Sequence, residues 1–177
     1  MNATGFATTK IQPPRARSAR IERPALDAAL GQALRSRRLV LLMAPAGFGK
    51  TSALAAQIES LGPGTALAWF SFDEDDDAAH LFAGLAGALE PLDLPWRSAP
   101  AALAAQLGEQ GENGGSLRGP VAELVNALAA AGVPHGVIVL DDLHRVQSPA
   151  VNAFLDELIE RLPAQWTVVI STRVAPR

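Results

Sequence analysis

The segment Ala44-Pro45-Ala46-Gly47-Phe48-Gly49-Lys50-Thr51 combines two glycines, a lysine and a threonine at a spacing suited to binding phosphate. Glycine tolerates the backbone angles that turn N–H groups inward, and a helix that follows directs its positive end at the same anion. A lysine here reaches the β- and γ-phosphates of a nucleotide, and the threonine hydroxyl binds Mg²⁺. The alternative is a glycine-rich turn with a solvated lysine. The candidate phosphate-binding residues are Ala46, Gly47, Phe48, Gly49, Lys50, Thr51 and Ser52.

Two adjacent acids, Asp141 and Asp142, close an apolar run later in the chain. An acid at the end of a strand next to a phosphate loop holds Mg²⁺, and we predict this role for Asp141. Asp142 is predicted to act as a general base on water, the alternative being a solvated acid at a strand end. Arg173 follows the next apolar run and is predicted to meet the γ-phosphate, the alternative being a surface arginine.

Three further features are interpreted as structural rather than catalytic. The acidic run 73–77 is read mainly as a solvated loop with acids at a helix N-terminus. His144 is read as a structural hydrogen-bonding residue rather than a catalyst. The tryptophans Trp69, Trp96 and Trp166 are read as packing residues.

Alternating strands and helices position these residues. Short apolar runs bounded by turns predict buried strands at 39–43, 66–72, 136–140 and 166–170. Helical spacing predicts a helix opening at Pro24 and helices at 50–60, 78–90, 101–107, 120–131 and from Pro149 onward. Glycines between 108 and 119 predict a flexible loop. Because the strands alternate with helices, the pattern favours an α/β fold with a parallel sheet.

Composition narrows the classes of protein. The chain has 177 residues, 49% of them hydrophobic and 19% charged, which excludes a wholly disordered chain and predicts one globular domain. The absence of cysteine excludes disulfides, thiolate nucleophiles and cysteine zinc sites. An apolar run of about 18 residues, which a membrane span needs, is missing, as is an apolar signal core. We therefore expect a cytoplasmic protein without a membrane partner.

The charge is unevenly distributed. Residues 1–38 hold eight basic and two acidic residues, a charge of +6, so the remainder carries −9 against an overall charge of −3. We predict an extended basic arm at 1–22 and a phosphate-loop domain at 23–177. Nucleic acid binding by this arm is disfavoured because aromatic residues are not interleaved with the basic ones. The arm either folds back on the acidic body or meets an anionic ligand.

Together these motifs resemble a known family. The chain is similar to the N-terminal nucleotide-binding domain of STAND-class P-loop ATPases, in particular large LuxR-type bacterial transcriptional regulators of the MalT kind. Each piece is weak alone, but the combination is specific and runs nearly end to end. The matching pieces are Thr9-Lys10, Pro13-Pro14, Arg23-Pro24, the segment from Ala44 to Thr51, Trp69-Phe70-Ser71-Phe72-Asp73, Val139-Leu140-Asp141-Asp142-Leu143-His144 and Ser171-Thr172-Arg173.

The resemblance implies more than the residues alone. It implies a three-layer P-loop fold of the additional-strand class, with the fourth strand between the phosphate-loop strand and the strand of Asp141. It implies ATP with Mg²⁺ as a switch controlling self-association, Lys50 and Thr51 as phosphate and Mg²⁺ residues, and Arg23 beside the nucleotide. It also implies Asp141 as the Walker B acid and Arg173 as the sensor arginine.

The family continues into a fifth strand, sensor repeats and a DNA-binding domain that we do not find in these residues. We therefore interpret the domain as truncated before the fifth strand, with the phosphate-loop strand at the sheet edge and without direct DNA contact. Two other classes remain open: a phosphotransferase acting on a small molecule, whose lid would be 108–119, and a non-hydrolysing interaction module.

Overall fold

The computed structural model describes residues 8–14, 22–113 and 116–175 of the chain. Four strands alternate with the helices that connect them. The strands are β1 (Leu39–Met43), β2 (Thr65–Ser71), β3 (His135–Asp141) and β4 (Trp166–Thr172). The helices are α1 (Pro24–Ser36), α2 (Lys50–Glu59), α3 (Ala78–Leu89), α4 (Pro100–Asn113), α5 (Arg118–Ala129) and α6 (Pro149–Arg161). Short 3₁₀ turns form at Thr8–Ile11, Glu90–Leu92 and Leu143–Arg145.

The four strands form one sheet in the order β1-β4-β3-β2, and all three pairs are parallel. The last strand is inserted between the first and the third, as the family resemblance implied, and β1 lies at an edge among the described strands. The register pairs Met43 with Thr172 and Ser71 with Asp141. The carboxyl ends of all four strands therefore meet at one edge of the sheet, where ligands bind in open α/β sheets.

Helices cover both faces of the sheet, giving three layers. Alternate residues of each strand point to opposite faces, so Val137 and Val139 enter a different core from Ile138 and Leu140. The smaller core lies under α1 and α2 and includes Leu30, Leu34, Leu54 and Ile58. The larger core lies under α3 to α6 and includes Leu85, Leu107, Leu124 and Phe154. The predicted α/β class and three-layer architecture are confirmed.

The predicted strands and most helices agree with the structure to within about two residues, the usual uncertainty of element ends. The exception is the predicted flexible loop at 108–119. Helix α4 continues through Gly108 to Asn113, and α5 already begins at Arg118. Leu103 and Leu107 bury their side chains in the larger core, and this packing sustains a helix that glycine disfavours locally.

One face of β1 is open. Leu39, Leu41 and Met43 are 43%, 48% and 54% exposed, whereas the alternate residues Val40 and Leu42 pack against the smaller core. The face that is covered over β3 and β4 is therefore not covered over β1 within the described residues. The prediction of a buried strand at 39–43 is wrong for this reason, although the strand itself forms. An apolar edge strand of this kind is a template for pairing with another strand.

The described part of the basic arm is folded rather than extended. Thr8–Ile11 forms a 3₁₀ turn, and Ile11 packs against the larger core. Lys10 pairs with Asp76 and Asp73, which follow β2. Of the two interpretations of the basic arm, folding back on the acidic body fits this segment, because a buried acid attracts the lysine. Residues 1–7 and 15–21 lie outside the described residues.

Candidate functional site

The phosphate loop connects β1 to α2 at the carboxyl edge of the sheet. The Ala44 N–H donates to the Thr172 carbonyl at 3.3 Å, which anchors the start of the loop to β4. Gly47 and Gly49 have φ of 79° and 73°, a region that side chains disfavour. A Cβ on either glycine would meet no atom of the described residues within 4 Å, so the backbone angle, rather than packing, requires glycine at these positions.

The amino end of α2 faces the loop. Gly49 is its N-cap, and no side chain among the described residues caps this end of α2 with a hydrogen bond. The first N–H groups of a helix lack partners inside the helix, and together with the helix dipole they attract an anion. The predicted residues Ala46 to Ser52 therefore form a loop and helix terminus with the electrostatics of a phosphate site.

Two cations lie against this loop. Lys50 is almost fully buried, and its Nζ donates to the carbonyls of Ala44 at 2.7 Å and Pro45 at 3.2 Å. Arg23, directly before α1, donates from Nη1 to the Phe48 carbonyl at 2.8 Å. The sequence separates Arg23 from the loop by 25 positions, and the fold places it beside the loop.

Asp141 meets the loop from the end of β3. The Thr51 hydroxyl donates to its carboxylate, with oxygen distances of 3.0 and 3.2 Å, and the Ser171 hydroxyl donates to Oδ1. Burial raises the pKa of Asp141, the two hydroxyl hydrogen bonds oppose this rise, and the neighbouring Asp142 adds to it. A buried carboxylate held by two hydroxyls is an oxygen-rich site suited to a hard cation.

Asp142 follows in a left-handed conformation, with φ of 58°. Its N–H donates to Ser171 Oγ at 3.1 Å, and its carbonyl accepts the Arg145 N–H at 3.0 Å. Its side chain is only partly buried. A non-glycine residue in this region of φ persists where its surroundings hold it, often at functional sites. The backbone of Asp142 is therefore held on both sides, at its N–H and at its carbonyl.

His144 lies next to Asp142. Its Nδ1 is 3.8 Å from Asp142 Oδ1, and this buried nitrogen has no hydrogen-bond partner among the described residues. Burial lowers the pKa of His144, Asp142 opposes the effect, and the charges of Arg173, Lys50 and Arg145 add to it. The prediction of a structural hydrogen bond is therefore wrong for Nδ1, because the distance to Asp142 exceeds hydrogen-bond range.

Arg173 directly follows β4 and is exposed. Since Thr172 pairs with Met43, Arg173 lies at the same edge as the phosphate loop. The fold thus brings Arg23, the loop, Asp141, Asp142 and Arg173 to one end of the sheet. For the loop, Asp141, Asp142 and Arg173, the physical reason is that parallel strands place all their carboxyl ends at one edge. Arg23 is instead held there by its hydrogen bond to the Phe48 carbonyl.

The sequence did not predict two side-chain contacts, those of Ser171 and Asp76. Ser171 is fully buried and touches both acids, a role indicated in the sequence only by its position at the end of the strand beside β3. Most of the acidic run 73–77 is exposed or caps a helix, as predicted, and Asp76 is the exception. Asp76 is buried against Lys10, and Asp77 caps α3 by accepting the His80 N–H at 2.7 Å.

The residues present fit a magnesium ion better than a tightly chelated metal. Among the described residues, no group of three or more His, Cys, Asp or Glu side chains gathers in metal-binding geometry. Mg²⁺ keeps several waters and takes one or two protein oxygens beside substrate phosphates. The Thr51 hydroxyl and the Asp141 carboxylate, in contact at the mouth of the loop, meet that requirement. None of the described helices is long and apolar enough to cross a membrane.

Residues 17–171 match the AAA ATPase domain family, and the chain therefore belongs to that family of P-loop ATPases. It is homologous to the HTH-type transcriptional regulator MalT of Klebsiella pneumoniae, at 31% identity over 79% of this chain and 15% of that protein. It is also similar to the serine/threonine-protein kinase PknK of Mycobacterium tuberculosis, at 32% identity over 70% of this chain and 11% of that protein.

A structural comparison agrees on the fold. The Walker-type ATPase PABY2304 of Pyrococcus abyssi matches with a TM-score of 0.55 at 15% identity, covering 94% of this chain and 49% of that one. The chain spans only 11 to 15% of the length of the curated relatives named above. The matched segment is therefore a small part of each of those proteins.

Proposed function

We propose that this chain is the ATP- and Mg²⁺-binding switch module of a bacterial STAND-class, LuxR-type transcriptional regulator, and that it hydrolyses ATP slowly. The observation that carries the proposal is the hydrogen bond between Thr51, at the start of α2, and the buried carboxylate of Asp141. This contact joins a phosphate loop to a strand-end acid, the pair of elements that positions a nucleotide and its cation. The homology to MalT supports the regulatory class.

In this proposal the loop binds the phosphates with backbone N–H groups from Ala46 to Ser52. Lys50 exchanges its carbonyl partners for phosphate oxygens, which accept stronger, charge-assisted hydrogen bonds. Arg23, which precedes α1 and donates to the Phe48 carbonyl of the phosphate loop, contacts the nucleotide there. The preference for ATP over other nucleotides is proposed because the chain belongs to an ATPase family.

The Thr51 hydroxyl and Asp141 would hold the magnesium ion. When bound, Mg²⁺ neutralises charge on the β- and γ-phosphate oxygens. Asp141 is well suited because its burial leaves the carboxylate poorly solvated, so it gains from a cation partner. The Ser171 hydroxyl orients this carboxylate by donating a hydrogen bond to Oδ1 of Asp141.

Asp142 is the proposed general base. Its carboxylate is more open than that of Asp141, and its backbone is fixed on both sides by Ser171 and Arg145. It would accept the proton of the attacking water at a carboxylate oxygen. Arg173, at the end of β4, would contribute positive charge where the γ-phosphate develops negative charge.

The module acts in the cytoplasm and responds to nucleotide by self-association, without contacting DNA through these residues. The open face of β1 supports self-association, because its three exposed apolar residues favour contact with another surface. The phosphotransferase alternative is less favoured, because most of the segment 108–119, its proposed flexible lid, belongs to helices α4 and α5.

The test combines calorimetry, phosphate release and light scattering on the purified chain with ATP and Mg²⁺. We expect saturable Mg²⁺-dependent ATP binding, slow phosphate release without an added acceptor, and an increase in mass with nucleotide. Binding without phosphate release would favour the interaction module, and release that requires a small-molecule acceptor would favour the phosphotransferase. Failure to bind any nucleotide would contradict all three.

A further inference from the structure

We propose that Lys10 is a positioning residue for the water-activating end of the nucleotide site, a proposal that rests on the function proposed above. Lys10 Nζ lies 2.7 Å from each carboxylate oxygen of Asp76 and 3.2 Å from Asp73 Oδ2. The side chains of Lys10 and Asp76 are only 15% and 4% exposed. The ion pair lies on the carboxyl side of β2, the strand next to β3.

Further contacts hold Lys10 and Asp76 in this arrangement. Nζ also lies 5.4 Å from the centre of the Phe70 ring, within cation–π range. The next residue, Ile11, packs against the larger core, which fixes the turn that carries Lys10. Asp76 in addition accepts the Asp73 N–H at 2.6 Å. Lys10 thus neutralises the carboxylate that closes the turn after β2, and without it a buried charge loses its partner.

From this turn the contacts lead to the proposed base. Asp73 Oδ1 lies 3.3 Å from Arg145 Nη1, and Arg145 ends the 3₁₀ turn that directly follows Asp142. The Arg145 N–H donates to the Asp142 carbonyl at 3.0 Å. Asp73 therefore bridges the two loops, with Lys10 on one side and Arg145 on the other.

Asp142 needs this support because its backbone is left-handed. A conformation of that kind relaxes when the surrounding contacts are loosened. Loss of Lys10 frees Asp73 and Asp76, weakens the hold on Arg145, and lets Asp142 move from its position. The phosphate loop, on the other side of β4, makes none of these contacts, so ATP affinity depends little on Lys10.

The test is Lys10→Met, with Lys10→Arg as the conservative variant. Arg161→Met is the matched control, because Arg161 also pairs with a largely buried carboxylate, that of Glu157, at the end of α6 farther from Asp142. We expect Lys10→Met to lower kcat by about tenfold to a hundredfold, as displacement of a catalytic group does. In Lys10→Met, KM and ATP affinity should stay within about twofold of the wild-type values. Lys10→Arg should recover part of the lost kcat, and Arg161→Met should have the wild-type kcat. Amide exchange at Arg145 is expected to be about tenfold faster in Lys10→Met only.

Asp73→Asn provides a second variant should Lys10→Met fail to fold, since Asp73 is half-exposed and its charge is not required by the core. It should lower kcat in the same way. Wild-type kcat in both folded variants, or unchanged exchange at Arg145, would overturn the proposal. A wild-type chain that fails to bind or hydrolyse ATP would refute the proposed function, while the exchange measurement would still decide whether Lys10 holds the turn.

Discussion

Replacement of Lys50 by alanine tests the phosphate site most directly. Lys50 Nζ donates to the Ala44 and Pro45 carbonyls, and on binding it would exchange these neutral acceptors for charged phosphate oxygens. A hydrogen bond to a charged group contributes about 1.5–3 kcal/mol. Since about 1.4 kcal/mol corresponds to tenfold in affinity, the full range is roughly tenfold to 150-fold. Loss of the two carbonyl bonds offsets part of this gain, so we expect a decrease of about tenfold to thirtyfold.

The fold should tolerate this change. The Pro45 carbonyl lies in an exposed residue and the Ala44 carbonyl in a partly exposed one, so water replaces the lysine as donor. Unfolding by heat should therefore show a melting temperature close to that of the wild type when nucleotide is absent. Added ATP and Mg²⁺ should raise this temperature less in Lys50→Ala, because weaker binding stabilises the folded state less.

Calorimetric titration with ATP and Mg²⁺ measures the affinity itself. Arg97→Ala is the control: it removes a positive charge from an exposed position between α3 and α4, away from the phosphate loop. The control should bind as the wild type does. Equal affinity of Lys50→Ala and wild type, with both folded, would refute the assignment of the loop as a phosphate site.

Three other predictions concern the acids and the sheet edge. Asp142→Asn should lower turnover by about 10²-fold or more, the size of general-base effects, with ATP affinity unchanged; unchanged turnover would remove Asp142 from the mechanism. Burial raises the pKa of Asp141, so the contribution of this group to stability is lost as the pH rises through its folded-state pKa. Asp141→Asn should therefore raise the melting temperature at pH 7 without Mg²⁺, and a lower one would contradict this reasoning. In a dilute monomer, amides of Leu39–Met43 should exchange faster than those at 137–140, because among the described strands β1 pairs with β4 alone, whereas β3 pairs on both sides; equal protection would mean that the edge of β1 is covered.

Much of this architecture was readable from the sequence because its signals are local. An apolar run bounded by turns predicts a strand, and both Leu39–Met43 and His135–Asp141 form strands, although only His135–Asp141 is largely buried. The signal of the phosphate-loop glycines is equally local, because the positive φ angles of Gly47 and Gly49 themselves require glycine. Parallel topology then brings every strand-end residue to one edge, so Asp141 could be assigned to the loop from 90 positions away.

The tertiary structure decided what depends on partners distant in the chain. Helix α4 extends past its glycines because Leu103 and Leu107 are buried by α3 and α5, which propensity cannot reveal. Asp76 is buried because Lys10, 66 positions earlier, neutralises it. Burial and pairing are properties of the neighbours a residue acquires on folding, and therefore the sequence predicted which residues carry chemistry, whereas only the packed structure determined which of them hold one another in place.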